Sequence, residues 1–390
     1  MDSPRQEEVF NFQKDNFFLH IFAKAVVFKQ SLFFCLFWYR RLIMIKGKIK
    51  VAILGASGYT GLEIIRLLIN SKNYSISEVT ADSKAGMKMS EVYPHLRNYD
   101  LPRLKKIDEI KLKGIDAIVS CLPHSKSQNV ISSIPKHIKV VDLSADFRFK
   151  NTDIYEKTYN TKHEAKGLQK EVVYGLSEIN RNEISKSRVV ANPGCYPTSA
   201  LLPLIPVIKN NLINTDNIII DSKSGVSGAG RTHKDFLLFG EVSDGFMAYG
   251  VSNHRHKPEI NFQIEEFANS LVNVSFTPHL LPIKRGILST IYFKIDSSHN
   301  IKNIITCLKD SYSKEPFINI HDNYIPSTHD VRGTNSCSIG ISFDNTSNTC
   351  ILVSVIDNLI KGASGQALQN LNLMFGIEET DGLINVPMFI

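Results

Sequence analysis

Cys195 is the residue whose type and setting most suggest chemistry. Residues 189–194 (VVANPG) read as a strand that Pro193-Gly194 breaks, and Ser199, Ala200, Leu201 and Leu204 resume at helical spacing. Pro197 suits a first helical turn. The thiol is therefore expected at a helix N-terminus, where free N–H groups and the helix dipole lower a thiol pKa and can hold an oxyanion. A nucleophile is the functional reading; a buried core cysteine is the plain one. Cys35, Cys121, Cys307, Cys337 and Cys350 fall on predicted strands or helices or in the N-terminal stretch, and read as small core hydrophobes. No CxxC pair occurs, so neither a zinc site nor a disulfide framework is expected, and a reducing, cytoplasmic setting is the simpler expectation.

A nucleophilic thiol wants a base, and residues 251–260 (VSNHRHKPEI) offer two. His254 and His256 are separated by one residue and point the same way on an extended segment. With Arg255 between them and Lys257 after, they make a cationic cluster able to deprotonate a thiol and to neutralise a phosphate or carboxylate. A metal would need a third ligand, which the spacing does not supply; a solvated basic turn is the bland alternative. Two further segments read as ligand loops. Residues 224–231 (SGVSGAGR) are too rich in glycine to pack and end in Arg231, which suits a phosphate-binding or mobile loop. Residues 144–148 (SADFR) follow a strand end, where Arg148 could clamp a carboxylate with both arms of its fork.

The second motif is Gly55-Ala56-Ser57-Gly58-Tyr59-Thr60-Gly61, a GxxGxxG turn between a strand and a helix. Gly55 permits the tight turn, and Gly58 lets backbone approach a pyrophosphate at the helix start. The residues that follow the next strand usually read the ribose, and here they conflict. Asp82 suits the 2′-hydroxyl of NAD, whereas Ser83 and Lys84 suit the 2′-phosphate of NADP. These residues alone leave the two cofactors even.

The elements that must position these groups alternate at first. Residues 48–54 are a branched apolar strand, and Leu62, Ile65, Leu68 and Ile69 follow at helical spacing. Strands are expected at 75–80, 116–121 and 139–143, with a helix from about Ser125. Strand and helix in alternation imply a doubly wound parallel sheet of Rossmann type. After residue 195 the pattern changes, with longer strands at 217–223, 272–277 and 287–295 and a hairpin of 336–343 with 350–356. That reads as an α/β domain on a mixed or antiparallel sheet with one face buried. A last helix spans 362–375.

The length of 390 residues favours two or three domains. Residues 1–43 hold 9 of the 22 Phe and the only Trp, yet their longest uncharged run is ten residues, too short to span a bilayer. Asp2, Glu7, Glu8 and Asp15 speak against a targeting peptide. The stretch is expected to be a dispensable extension ahead of Met44, with an interfacial anchor as the rival. The net charge of +7 is spread along the chain, so no nucleic-acid footprint is read and no membrane partner is expected.

Taken in order, GASGYTG at 55–61, NPGCYPT at 192–198, SGVSGAGR at 224–231, NHRHKPEI at 253–260, PHLLPIKRGIL at 278–288 and DNLIKGASGQALQN at 357–370 resemble the N-acetyl-gamma-glutamyl-phosphate reductases. The resemblance covers residues 48–383; aspartate-semialdehyde dehydrogenase is a more distant likeness that lacks the HRH-PEI pattern. It implies a Rossmann domain over 44–195 completed by 361–390, and a catalytic and dimerisation domain over 196–360 in a homo-oligomer, a dimer or tetramer. It implies NADPH as cofactor, an acyl phosphate as substrate and inorganic phosphate as product, with the acyl group carried on Cys195 as a thioester and His254 or His256 moving the proton. Arg148, Arg231 and Arg285 become candidates for the substrate carboxylate and the phosphate, and Gln366 and Asn370 for the nicotinamide end. Rival readings are a reductase of aminoadipyl or aspartyl phosphate, since one methylene is worth only about 1–3 kcal/mol; a nucleotide-sensing binding protein; and a thiol hydrolase, which would not need the glycine turn.

Overall fold

Short branched runs build the first sheet. β1 (Ile49–Leu54), β2 (Tyr74–Thr80), β3 (Leu104–Lys105), β4 (Ala117–Ser120), β5 (Lys139–Asp142), β6 (Val172–Tyr174) and β7 (Val189–Ala191) pair in the order β3-β2-β1-β4-β5-β7-β6, every neighbour parallel. Val51 to Leu54 and Ala117 to Ser120 are fully buried, as strands covered on both faces must be. Strand order reverses between β1 and β4, and the carboxyl ends of those two strands open a crevice. The computed structural model describes residues 47–389, so the expectation for residues 1–43 lies outside the described residues.

The second sheet holds β8 (Ile219–Gly225), β9 (Met247–Ala248), β10 (Ser275–Leu281), β11 (Ile287–Phe293), β12 (Ile318–His321), β13 (Cys337–Asp344) and β14 (Thr349–Ile356) in the order β12-β13-β14-β11-β8-β10-β9. β8 pairs β10 and β12 pairs β13 in parallel, while the other pairs are antiparallel. The mixed sheet and the β13–β14 hairpin match the sequence pattern. Ile287, Ser289, Ile291 and Phe293 alternate onto the buried face of β11, against the helices Cys195–Lys209 and Ile301–Tyr312.

Three differences from expectation have a physical reason. β10 does not stop at Thr277 but runs through Pro278 to Leu281; on its outer side Pro278 lies beyond the two-residue β9, where its carbonyl accepts from the Tyr249 N–H at 3.0 Å, so the missing proline N–H is tolerated at the end of that ladder. The last helix begins at Gly365 rather than 362, behind a π-helical turn at Ile360–Ser364. His254 and His256 do not share an extended segment. His254 lies in a turn, and His256 is the first residue of the helix His256–Ala268.

The helix that Cys195 opens is buried on all sides from Tyr196 to Ile208, wedged between the mixed sheet and its neighbouring helices. It also contains Pro203 and Pro206. Pro206 has no N–H for the Leu202 carbonyl, and the Tyr312 hydroxyl donates there instead. The helix Gly365–Phe375 follows β14 in sequence but joins the core of the first sheet, where Ala367, Leu368, Leu371 and Met374 pack with Val51, Ile53, Ile64 and Leu68. Among the described residues no helix is long and apolar enough to cross a membrane.

Candidate active site

The glycine turn stands at the crevice. Gly55 has φ +78°, and a Cβ there would lie 2.7 Å from the Cys121 carbonyl oxygen, so only glycine fits between β1 and the chain leaving β4. A Cβ at Gly61 would lie 2.6 Å from the Ala56 Cα, which makes Gly61 the residue that lets helix and turn pack closely. Beyond the turn opens a cleft of about 930 Å³, lined by Gly55, Ser57, Gly58, Asp82, Ser83 and Lys84. Tyr59 and Thr60 form the first turn of the helix Tyr59–Leu68. Lys106, Lys126 and Arg231 also line the cleft. A turn that needs glycine at positions 55 and 61, a helix start and four cations in the lining suit a dinucleotide with phosphates. Lys106 and Lys126 were not foreseen, because nothing in their local sequence marks them. Cys121 lines the cleft too, so it is not the plain core residue expected.

A second cavity of about 370 Å³ brings together Cys195, His254, Arg255 and His256, with Lys234, Tyr249 and Asn253 beside them. Cys195 is the first residue of its helix. The imidazole rings of His254 and His256 lie 4.9 Å apart, brought together by the turn and the helix start. The His256 backbone N–H donates to His254 Nδ1 at 3.1 Å, which occupies that nitrogen. His256 Nδ1 is buried without a hydrogen-bond partner, and Nε2 faces the cysteine loop, 2.7 Å from where a Cβ on Gly194 would be. A Cβ on Gly362, in the π-helical turn, would sit 2.8 Å from the Cys195 Cβ.

The electrostatics run against the local expectation for the thiol. Burial pushes Cys195 up, more than the Arg148 charge, the Tyr196 N–H and Arg255 pull it down. Burial, with Arg255, lowers His254 to about 4, and burial, His254, Arg148 and Arg255 hold His256 well below the ordinary imidazole value. At neutral pH the pocket therefore holds a thiol beside neutral imidazoles that can accept its proton. The same shifts tie stability to pH. Above about 6.5 both imidazoles are neutral in the folded and unfolded chain. As pH falls from there toward 4, the unfolded chain takes up protons that the folded chain refuses, so stability falls. Thermal melts should show the midpoint dropping across that window more steeply in the native chain than in His256→Asn; equal slopes would contradict a buried neutral His256.

Glu259, one helical turn after His256, was missed, although it lies inside the 253–260 motif. Reading that motif as helix rather than strand would have set it on the same face. It is fully buried and accepts from the Gly194 N–H at 2.9 Å and the Tyr174 hydroxyl at 2.8 Å on one oxygen, and from Arg148 Nη1 at 3.0 Å on the other.

Four expected ligand groups are engaged elsewhere. Arg148 is 8 % exposed and, besides the Glu259 carboxylate, donates to the Asn192 and Leu143 carbonyls, so its guanidinium braces the cysteine loop. Arg285 pairs with Glu63 at 3.1 Å and with Asp357 at 3.0 Å, which fixes it between the two sheets' elements. Gln366 and Asn370 are fully buried and donate to the Gly175 carbonyl; Gln366 also reaches Ser177, and Asn370 reaches Asn192. Asn370 thus supports the cysteine loop through Asn192, and neither residue lines the cleft. Arg231 lines the cofactor cleft and not the cysteine cavity.

Comparison with known proteins agrees with this layout. The family model described as "Semialdehyde dehydrogenase, NAD binding domain" matches residues 50–187, and "Semialdehyde dehydrogenase, dimerisation domain" matches residues 195–358. The chain is 51 % identical to a probable chloroplastic N-acetyl-gamma-glutamyl-phosphate reductase of Arabidopsis thaliana, over 87 % of this chain and 85 % of that one. It is 46 % identical to the N-acetyl-gamma-glutamyl-phosphate reductase of Rhodospirillum rubrum, over 88 % and 99 %. Among solved structures it resembles aspartate semialdehyde dehydrogenase with NADP from Candida albicans, at a TM-score of 0.63 and 16 % identity over 84 % of this chain and 98 % of that one. That last likeness is one of fold.

Proposed function

The chain belongs to the N-acetyl-gamma-glutamyl-phosphate reductases of the semialdehyde dehydrogenase family, and from that membership we propose how its residues divide the work. It is an NADP-dependent oxidoreductase that reduces N-acetyl-L-glutamyl 5-phosphate to N-acetyl-L-glutamate 5-semialdehyde with release of phosphate, a step of arginine biosynthesis. What supports the division of labour is one arrangement: Cys195 and His256 share a cavity, and a separate cationic cleft opens at the glycine turn.

His256 takes the thiol proton, and the Cys195 sulfur attacks the acyl carbon. The carbon–sulfur bond forms, the carbon–oxygen bond to the phosphoryl group breaks, and phosphate departs with its electron pair into a cavity flanked by Lys234 and Arg255. N–H groups at the start of the cysteine helix face the developing oxyanion. The 55–61 turn with Ser83 and Lys84 would hold NADPH, which would supply the hydride needed to reduce the thioester on Cys195. The His256 imidazolium gives its proton to the oxyanion that hydride addition leaves, which completes the thiohemiacetal; neutral again, His256 removes that hydroxyl proton as the carbonyl re-forms and the thiolate leaves, and returns it to the sulfur. His254 is a positioning residue, since its Nδ1 already receives the His256 N–H.

The domains proposed are 44–195 with 361–390 for the cofactor and 196–360 for the chemistry. Association as a homo-oligomer through the mixed sheet is supported by the family model's dimerisation name and by half-buried Leu288, Thr290 and Tyr292 on its outer face; a light-scattering mass of one chain would overturn it. The scattered cysteines suit a reducing compartment, and the cytoplasm is the location proposed.

The test of the reaction is to run it backward. N-acetylglutamate semialdehyde, inorganic phosphate and NADP should give reduced cofactor, read at its absorbance band, and omission of phosphate should stop it. No phosphate-dependent signal with this semialdehyde would sink the reading.

A further inference from the structure

The glycine-rich segment 224–231 touches both cavities. Ser224, Gly228 and Ala229 line the cysteine cavity, whereas Arg231 and Thr232 line the cofactor cleft. Its root is fixed. A Cβ on Gly225 would lie 2.7 Å from the Arg285 nitrogen, the Val226 N–H donates to the Ile283 carbonyl at 2.9 Å, and the Asn358 amide donates to Ser227 Oγ at 3.0 Å. Its tip is free. Gly230 has φ +81° with open space around it, a backbone state that a side chain would strain.

Arg231 hangs from that tip and crosses from the second sheet's domain to the first. Its Nη1 donates to the Ser57 carbonyl, inside the glycine turn, at 3.2 Å. Its guanidinium lies 4.6 Å over the Tyr93 ring, and the Tyr93 hydroxyl donates to the same Ser57 carbonyl at 2.8 Å. The side chain is thus a planar cation stacked on an aromatic face, at the rim of the cleft and over the turn where phosphates would lie.

We infer that Arg231 is a ligand for the phosphates of the cofactor, reaching over from the substrate-side domain, and that its loop couples the cofactor cleft to the cysteine cavity. The inference rests on the NADP-dependent reading above. A phosphate in the cleft takes the guanidinium from its bond to the Ser57 carbonyl. Gly230 absorbs the turn of the chain, and Gly228 and Ala229, two or three residues away, move at the wall beside Cys195. Because coupling is reciprocal, a ligand in the cysteine cavity also tightens the cofactor.

Arg231 is exposed, so Arg231→Ala and Arg231→Lys should both fold. Titration of the full chain with NADPH by its fluorescence should show binding weakened by about tenfold or more in Arg231→Ala, with Arg231→Lys between. NADH weakened in the same ratio marks contact with the pyrophosphate, and NADPH weakened alone marks the 2′-phosphate; both support a cofactor ligand. The coupling needs a probe that cannot itself cover the thiol, which 2′-phospho-ADP-ribose, lacking the nicotinamide ring, provides. At saturation it should change the rate of Cys195 alkylation by iodoacetamide about fivefold in the native chain and not at all in Arg231→Ala. NADPH and NADH affinities within twofold of native in Arg231→Ala, or an unaltered alkylation effect, would overturn the inference. A native chain that bound no NADPH would instead overturn the reductase reading.

Discussion

Serine in place of Cys195 is expected to remove turnover by at least about 10³-fold while leaving NADPH affinity unchanged. The sulfur has two tasks that a hydroxyl performs poorly. It must become an anion beside a neutral imidazole, and burial already makes this demanding for the thiol. It must later leave from a tetrahedral carbon, where an alkoxide is a much worse leaving group. The cofactor cleft does not include Cys195, so binding there should be spared. Steady-state rates of the reverse reaction and an NADPH titration on the same preparation separate the two. Substantial residual turnover would mean that no acyl-sulfur bond lies on the path.

Alanine in place of Glu259 is expected to cost about 3–5 kcal/mol of folding stability, together with most activity. The loss follows from what remains. Arg148 would be a buried cation without its counter-charge, and the Gly194 N–H and Tyr174 hydroxyl would lose their shared acceptor. Glu259→Gln keeps an acceptor for both donors and should fold better, yet still leaves the charge on Arg148 unpaired. The double variant Arg148→Met/Glu259→Met removes both charges and should recover stability relative to Glu259→Ala while remaining inactive, because the loop before Cys195 is no longer held. Urea unfolding midpoints and kcat, read side by side, test this. An alanine variant within about 1 kcal/mol of native would show that the buried pair does not hold the loop.

The parts of the site that the sequence displayed are those built locally. The Cys195 helix start, the Gly55 turn and the alternation of strand and helix are each decided within a dozen residues. The misjudged residues depend on partners far along the chain. Arg148 has the look of a free clamp until Glu259, 111 positions away, is packed against it. Arg285 is likewise spent on Glu63 and Asp357. The direction of the Cys195 shift failed for the same reason. A helix start lowers a thiol pKa, but burial by distant segments raises it further, and only the assembled fold reveals the sum. Gln366 and Asn370 carry the polar groups of ligand residues, yet they are consumed by the carbonyl of Gly175.

The helix Gly365–Phe375 sets an order on birth as well as on architecture. On the ribosome, the strands of the first sheet emerge complete by Ala191, but Ala367, Leu368, Leu371 and Met374 are still unmade. Synthesis of the intervening chain, at about 5–20 residues per second, takes on the order of ten seconds. For that interval one side of the sheet is an uncovered apolar surface, and the nascent cofactor domain must wait, shielded or sticky, for the end of its own message. A nonsense codon between Ala191 and residue 365 therefore does more than trim a tail. It strands an otherwise finished half-protein without its closing wall, and pulse-chase proteolysis of chains arrested at 200 and at 380 residues should find the shorter one far more readily cut.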